Sequence, residues 1–265
     1  MLEDLDETIR RLPRNKEYKF LSVEEPKGYT HLDKTKGLAP ICAIDRCRIS
    51  TDGKGITTLV GFHKCLLRCK YCINPQTWQM NTTTKKMMPQ ELYEEVKKDN
   101  LYFQATGGGI TFGGGEPCLY SWFIAEFREI CNPQWKLNIE TSLWVDRCHI
   151  EKLLHLIDFW IIDIKDMDNT IYKNYTGFAN DLMISNLRFL LDNNKAHQIL
   201  VRVPYIQGYN TEEDIKRSVL KLKEMGVLNI ERFEYHLSEE NPLVLFPERP
   251  LIGSLITEGG ESAIK

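Results

Sequence analysis

Three cysteines fall within eight positions, in the stretch Cys65-Leu66-Leu67-Arg68-Cys69-Lys70-Tyr71-Cys72. At offsets of zero, four and seven, their thiols can converge on one side of a compact loop, and thiolates are the ligands of zinc and of iron–sulfur clusters. A structural zinc site and a cubane cluster with ordinary ligation both take four protein ligands. This loop supplies three, so one metal position is left open for a substrate or cofactor.

Other residues able to do chemistry sit at the ends of later apolar runs. Gly113-Gly114-Gly115-Glu116-Pro117 follows Gly109-Ile110-Thr111-Phe112, and Glu140-Thr141-Ser142 closes the run from Lys136. Asp163-Ile164-Lys165 closes Phe159 to Asp163, Arg202 lies in Gln198 to Val203, and Tyr235-His236 closes the run from Ile230. Each has a plainer reading. Glycines serve tight turns; Asp163 and Lys165, two apart on a strand, also make a solvated pair. Arg202 can pair with a core-edge acid, and His236 can be a satisfied buried histidine. Cys42 and Cys47 read as small apolar residues rather than a redox pair. Cys118, Cys131 and Cys148 read as structural thiols, and the remaining histidines form no ligand-spaced pair.

The elements that must position these residues alternate. Six strand-like runs begin at Ile56, Gly109, Lys136, Phe159, Gln198 and Ile230. Helical patterns lie between them: one from Pro89 with Leu92 and Val96 on one face, then Leu119 to Cys131, His149 to Leu156 and Leu182 to Asn193. The last starts at the capping box Thr211-Glu212-Glu213-Asp214 and stops at Gly226. Cys72 to Met88 reads as a polar loop. Such alternation specifies an α/β fold with a parallel sheet covered by helices. In α/β barrels reactive groups gather at the C-terminal ends of the strands, where these candidates all fall.

With 265 residues, the chain fits one large domain of this kind. A net charge of −3 gives no electrostatic case for nucleic acid or an anionic membrane as partner. The acidic start lacks a signal peptide's basic flank, and no apolar run reaches the roughly 18 residues of a membrane span, so a cytoplasmic protein is expected. Eight cysteines in such a chain point to metal binding in a reducing compartment rather than to a disulfide framework.

The cysteine spacing, with Tyr71 before the third thiol, resembles the radical S-adenosylmethionine (SAM) superfamily. Four stretches are similar to the pyruvate formate-lyase (glycyl-radical enzyme) activating enzyme family: Ser50 to Leu59, Cys65 to Trp78, Ala105 to Pro117 and Val201 to Asn210. The resemblance implies a partial (β/α)6 barrel over 48–240, with 1–47 as an N-terminal extension packing on it and 241–265 as an irregular tail. It implies a 4Fe-4S cluster held by Cys65, Cys69 and Cys72, with SAM chelating the fourth iron. Tyr71, Gly114, Gly115, Glu116, Asp163, Lys165, Arg202 and His236 would line the SAM site, Glu116 at the amino group. Glu140 and Thr141 match a place that binds SAM and, in some members, a monovalent cation.

The implied activity is reductive cleavage of SAM to a 5′-deoxyadenosyl radical, which installs a glycyl radical in a large partner enzyme. A one-electron donor such as flavodoxin or ferredoxin would supply the cluster. The absence of cysteine between Cys72 and Cys118 and after Cys148 implies a single cluster. Lys64 stands where the family usually has glycine, and Cys42 and Cys47 lie outside its pattern. Two other functions fit the same residues: a radical SAM enzyme acting directly on a peptide or small metabolite, and a non-catalytic iron–sulfur or zinc protein.

Overall fold

The computed structural model describes residues 37–49, 51–78 and 84–234. These lie in the unit Thr35–Arg249; the other unit, Met1–Lys34 with Pro250–Lys265, lies outside the described residues, as do most of the expected N-terminal extension, the tail 241–265, Tyr235 and His236.

Eight strands make one sheet: β1 (Ala39–Ile49), β2 (Ile56–Phe62), β3 (Lys85–Met87), β4 (Gly109–Gly114), β5 (Lys136–Thr141), β6 (Phe159–Asp163), β7 (Ile199–Tyr205) and β8 (Asn229–Glu234). Their order is β3-β1-β2-β4-β5-β6-β7-β8. From β2 through β8 six strands run parallel in chain order, as the alternation requires. Helices fill the crossovers: α1 (Pro89–Val96) and α2 (Asn100–Thr106) before β4, α3 (Ser121–Ile130) before β5, and α4 (Arg147–Leu153) before β6. Then come α5 (Asn169–Thr176) and α6 (Asp181–Asp192) before β7, and α7 (Glu212–Glu224) before β8. Among the described residues no helix is long and apolar enough to cross a membrane.

The sheet curls. Arg202 on β7 bonds Glu140 two strands away and also the carbonyl of Thr51, just before β2 (2.9 and 2.6 Å). The next carbonyl, of Asp52, accepts from Thr111 on β4 (2.5 Å) and Asn138 on β5 (3.2 Å). One turn can meet side chains of three strands only if their faces bend around a shared interior, which makes this a partial barrel. The strands at its two ends, β3 and β8, are not neighbours, so it stays open.

On the helix side the packing is aromatic. Phe62 stacks on Tyr120 (4.7 Å between centroids) and meets Phe123 edge-on (5.7 Å), while Phe112 meets Phe127 edge-on (5.7 Å). These five rings are fully buried. They seat α3 under β2 and β4, the two strands whose ends carry the cysteine loop and the glycine run.

Several elements differ from the expectation. Strand β1 was not anticipated and runs across the expected boundary at residue 47; it pairs antiparallel with β2 and β3. Its outer residues are polar, and two register shifts break any alternation. Cys47 there is exposed with φ at 60°, so it is not a buried apolar thiol, whereas Cys42 is half-buried. The expected loop at 72–88 contains a 3-10 turn, Pro75–Trp78, and β3. Helix α5, rich in β-branched and asparagine residues, is held by its cap: the Asp168 carboxylate accepts from the amides of Thr170 and Ile171 (2.8 and 3.1 Å). The helix expected at 149–156 starts and stops earlier, as α4.

Strand β1 is tied to the helices through one buried acid. Asp99 accepts from Arg46 Nε (2.9 Å to Oδ2) and from the hydroxyl of Thr58 (2.8 Å). Asp99→Ala leaves a guanidinium and a hydroxyl without their acceptor and is expected to cost about 2–3 kcal/mol. Thr58→Val is expected to cost about 1 kcal/mol. Urea midpoints of the two variants check both figures.

Candidate functional site

The cysteine loop leaves β2 under close constraint. His63 donates its amide to Pro40 (3.0 Å) and its carbonyl accepts from the buried Tyr120 hydroxyl (3.0 Å). Lys64 is in the left-handed region, φ 71°; its amide donates to Thr77 (2.6 Å) and its carbonyl accepts from Glu116 (2.7 Å). The glycine run makes that last contact possible. A Cβ on Gly115 would lie 2.1 Å from the Lys64 carbonyl oxygen, and Gly114, φ 93°, has its missing Cβ 2.8 Å from the Phe62 nitrogen. Only glycine lets the end of β4 run against the exit from β2.

Within the loop, Arg68 acts as a post. Its Nη1 donates to the carbonyls of Cys65 and Leu67 (2.6 and 2.8 Å), and its guanidinium lies over Trp78 (5.4 Å). The amides of Arg68 and Lys70 donate to Thr176 and Tyr175 at the end of α5 (2.9 and 3.1 Å). Cys69 is buried, Cys65 and Cys72 half-buried. Burial pushes all three thiols up, Cys69 to about 12; the nearby Lys165 ammonium pulls Cys69 and Cys72 back down in part. Such thiols ionise only against further positive charge, which irons bring. Among the described residues no group of three His, Cys, Asp or Glu side chains is set to hold a single metal ion.

Glu116 is buried and its carboxylate is taken up inside the protein. Oε1 accepts from the Cys118 amide (3.1 Å) and the Thr141 hydroxyl (2.7 Å), Oε2 from the amide and hydroxyl of Ser142 (3.0 and 2.6 Å). With four donors on two oxygens, it clamps the β4 exit to the β5 exit. Thr141 belongs to this clamp, while Glu140 points to the other face of β5.

Inside the barrel rim, Glu140 and Arg202 pair at 2.9 Å, and Arg202 Nε also reaches Glu231 (3.2 Å). Burial raises the Glu140 carboxyl; Arg202 opposes this, and Asp163 and Asp52 add to it, leaving it at about 7. Asp163 lies opposite Arg202 in the β6–β7 register and pairs through Oδ2 with Lys165 (3.1 Å). Its Oδ1 is buried with no hydrogen-bond partner among the described residues, an acceptor held ready at the rim. Beside Cys72, the ring of Tyr71 meets Tyr209 and Tyr175 edge-on (5.5 and 6.1 Å).

The structure thus places the three cysteines within electrostatic reach of one another, and Cys69 within reach of Lys165 and Asp163, joins Glu140 to Arg202, and binds Glu116 to Thr141. His236 lies outside the described residues. Sequence reasoning missed Arg68, Tyr175 and Tyr209. Tyr209 falls inside the Val201 to Asn210 stretch already singled out, and Arg68 inside the cysteine loop, so both carried a positional signal.

Glu140 sets a pH dependence. Its folded value of about 7 exceeds the ordinary 4.5, so the folded chain holds this proton more tightly than the unfolded chain. Stability therefore falls as pH rises from about 4.5 to about 7 and stays reduced above. Glu140→Gln, in the cofactor-free chain, is expected to match the parent at pH ~4 and to exceed it by on the order of 2 kcal/mol at pH ~8. Urea unfolding at the two pH values reads the difference.

The Radical SAM superfamily model matches residues 59–222. The chain is 31% identical over 199 residues to a pyruvate formate-lyase-activating enzyme of Staphylococcus aureus (strain USA300), covering 71% of this chain and 77% of that protein. Among solved structures, Streptococcus suis SuiB bound to S-adenosylmethionine is similar in fold at a TM-score of 0.52 and 18% identity, over 70% of this chain and 44% of that one. SuiB bound to precursor peptide SuiA matches at 0.52 and 16%, over 67% and 38%. The fold agrees with these matches: the chain belongs to the radical SAM superfamily, whose cofactors are a 4Fe-4S cluster and SAM.

Proposed function

We propose that this chain is a glycyl-radical-enzyme activase. The reading is carried by the likeness to pyruvate formate-lyase-activating enzymes across most of both chains. In it, Cys65, Cys69 and Cys72 hold the cluster. The fit rests on three buried or half-buried thiols that need a cationic partner and on the unpartnered Asp163 Oδ1. When bound, cluster and SAM supply a one-electron cleavage that yields methionine and a 5′-deoxyadenosyl radical able to take hydrogen from a glycine Cα.

The chain's own part is positioning and exclusion of water. Arg68 and the Lys64–Glu116 contact fix the ligand loop, and Gly114 and Gly115 let the two strand exits meet. Glu116 and Thr141 hold that junction rather than reaching the ligand with free oxygens. Tyr71, braced by Tyr175 and Tyr209, walls the side next to Cys72. Asp163 offers Oδ1 to a ligand hydroxyl, Lys165 and Arg202 bring positive charge to a carboxylate, and His236 is proposed to act with them. Arg202 already supplies positive charge at Glu140, so this reading includes no monovalent cation. The substrate is a glycine-bearing segment of a protein partner, and an electron carrier feeds the cluster.

Cys65→Ala, Cys69→Ala and Cys72→Ala are each expected to lose the cluster's iron and visible absorbance after anaerobic reconstitution, whereas Cys131→Ala keeps both. For the activity, the reconstituted chain is reduced with SAM and a purified pyruvate formate-lyase. The expected result is the doublet of a glycyl radical by electron paramagnetic resonance, with matching 5′-deoxyadenosine. Deoxyadenosine with a directly modified peptide and no doublet would replace this reading with that of a peptide-modifying enzyme; an intact cluster that forms none would leave a non-catalytic protein.

A further inference from the structure

Lys64 holds a left-handed backbone, φ 71°, next to the first cluster cysteine. For a side chain other than glycine this conformation costs energy, and it persists where the surroundings enforce it. Here they do, through the amide bond to Thr77 and the carbonyl bond from Glu116. Glycine would meet the same constraint without strain, so the lysine side chain is retained at a cost.

Its surroundings indicate what the side chain does. Lys86 on β3 pairs in register with Pro40 of β1, and the Pro40 carbonyl accepts from His63, the residue before Lys64. The hydroxyl of Thr84 reaches His63 Nε2 at 3.4 Å, bringing the start of β3 to the same corner. Two ammonium groups therefore share one corner of the sheet edge. Lys64 is half-buried and Lys86 exposed, and among the described residues neither forms a salt bridge. The next lysine, Lys85, differs, because Glu95 feels its charge. Two like charges without a carboxylate, in a chain of net charge −3, make a local anion-seeking spot.

The position separates this spot from the rim. Lys165 and Asp163 act on Cys69 from within the barrel, whereas Lys64 is joined to Cys65 through the chain at the β1–β3 edge. We infer that Lys64 and Lys86 form the docking point for an acidic one-electron carrier protein, so that electrons enter beside Cys65 while hydrogen abstraction takes place at the barrel rim. This rests on the function proposed above. The carrier loses one electron and the cluster gains it; no atom is transferred, and SAM cleavage consumes the electron. Charge complementarity of this kind sets encounter rate and orientation.

The test uses reconstituted chain and flavodoxin, with binding measured by titration separately from SAM cleavage. Lys64→Gly and Lys86→Gln are each expected to raise the flavodoxin Kd by about threefold or more at low salt, with the difference fading at high salt. Lys64→Gly, relieved of strain, is expected to melt at or above the parent temperature in the cofactor-free chain. Lys86→Gln should cleave SAM at the parent rate when reduced by photoexcited 5-deazariboflavin, an uncharged reductant. Unchanged flavodoxin Kd in both variants overturns the inference, as does loss of deazaflavin-driven cleavage in Lys86→Gln. Failure of the parent chain to cleave SAM with deazaflavin counts instead against the proposed function, since flavodoxin binding is read independently.

Discussion

The contact on which the site depends is between two backbones. Parallel strands stand about 4.8 Å apart, and their exits normally diverge into separate loops. Here the exits of β2 and β4 stay locked, with the Glu116 amide on the Lys64 carbonyl and the Gly115 amide on the Phe62 carbonyl. That lock is available only because residues 114 and 115 carry no Cβ. From it the order passes outward: Glu116, fixed by its amide, presents its carboxylate to Thr141 and Ser142, which carries the constraint to the exit of β5. In the other direction the Thr77 carbonyl and the Arg68 post close the ligand loop on itself. Side chains from three strand exits are thus aligned by hydrogen bonds that involve no ligand.

Electrostatics divides the rim into two zones. Around the cysteines, burial acts against negative charge, and Lys165, Arg68 and backbone hydrogen bonds relieve it only in part. Around Glu140 acids and cations alternate: Arg202 pairs with Glu140 and Glu231, Lys165 with Asp163 and Arg48 with Asp52, and burial still holds the Glu140 carboxyl up at about 7. A zone that seeks positive charge therefore adjoins one whose acids are already paired. A cationic group at the cysteines suits that division, and a neutral one would leave the buried thiols uncompensated.

The ligand loop, the six parallel strands and most of the rim were legible because each has a local signature. Cysteine spacing, unbroken apolar runs such as Phe159 to Ile162, and the capping box at Thr211 need no knowledge of distant residues. What was not legible depends on partners far along the chain. Strand β1 carries Asp45, Arg46 and Arg48, and its pairing is secured by Asp99 and Asp52 rather than by alternation. Glu116 was expected at the ligand, and its four protein donors include Thr141 and Ser142, some 25 residues on. The glycine run was rightly marked, but its reason is steric closeness to Lys64, which no spacing rule contains.

One consequence of the strand order concerns biogenesis. Because β2, β4, β5, β6, β7 and β8 follow each other in both sequence and space, this part of the sheet can grow by one edge as the polypeptide emerges from the ribosome. The cysteine loop is then translated early, whereas Lys165 and Arg202 emerge 93 and 130 residues after Cys72. During that interval the three thiols would stand without the walls that shelter them. Metallation is therefore best placed after release, when the last strands have closed over the loop and premature capture of a wrong ion is disfavoured.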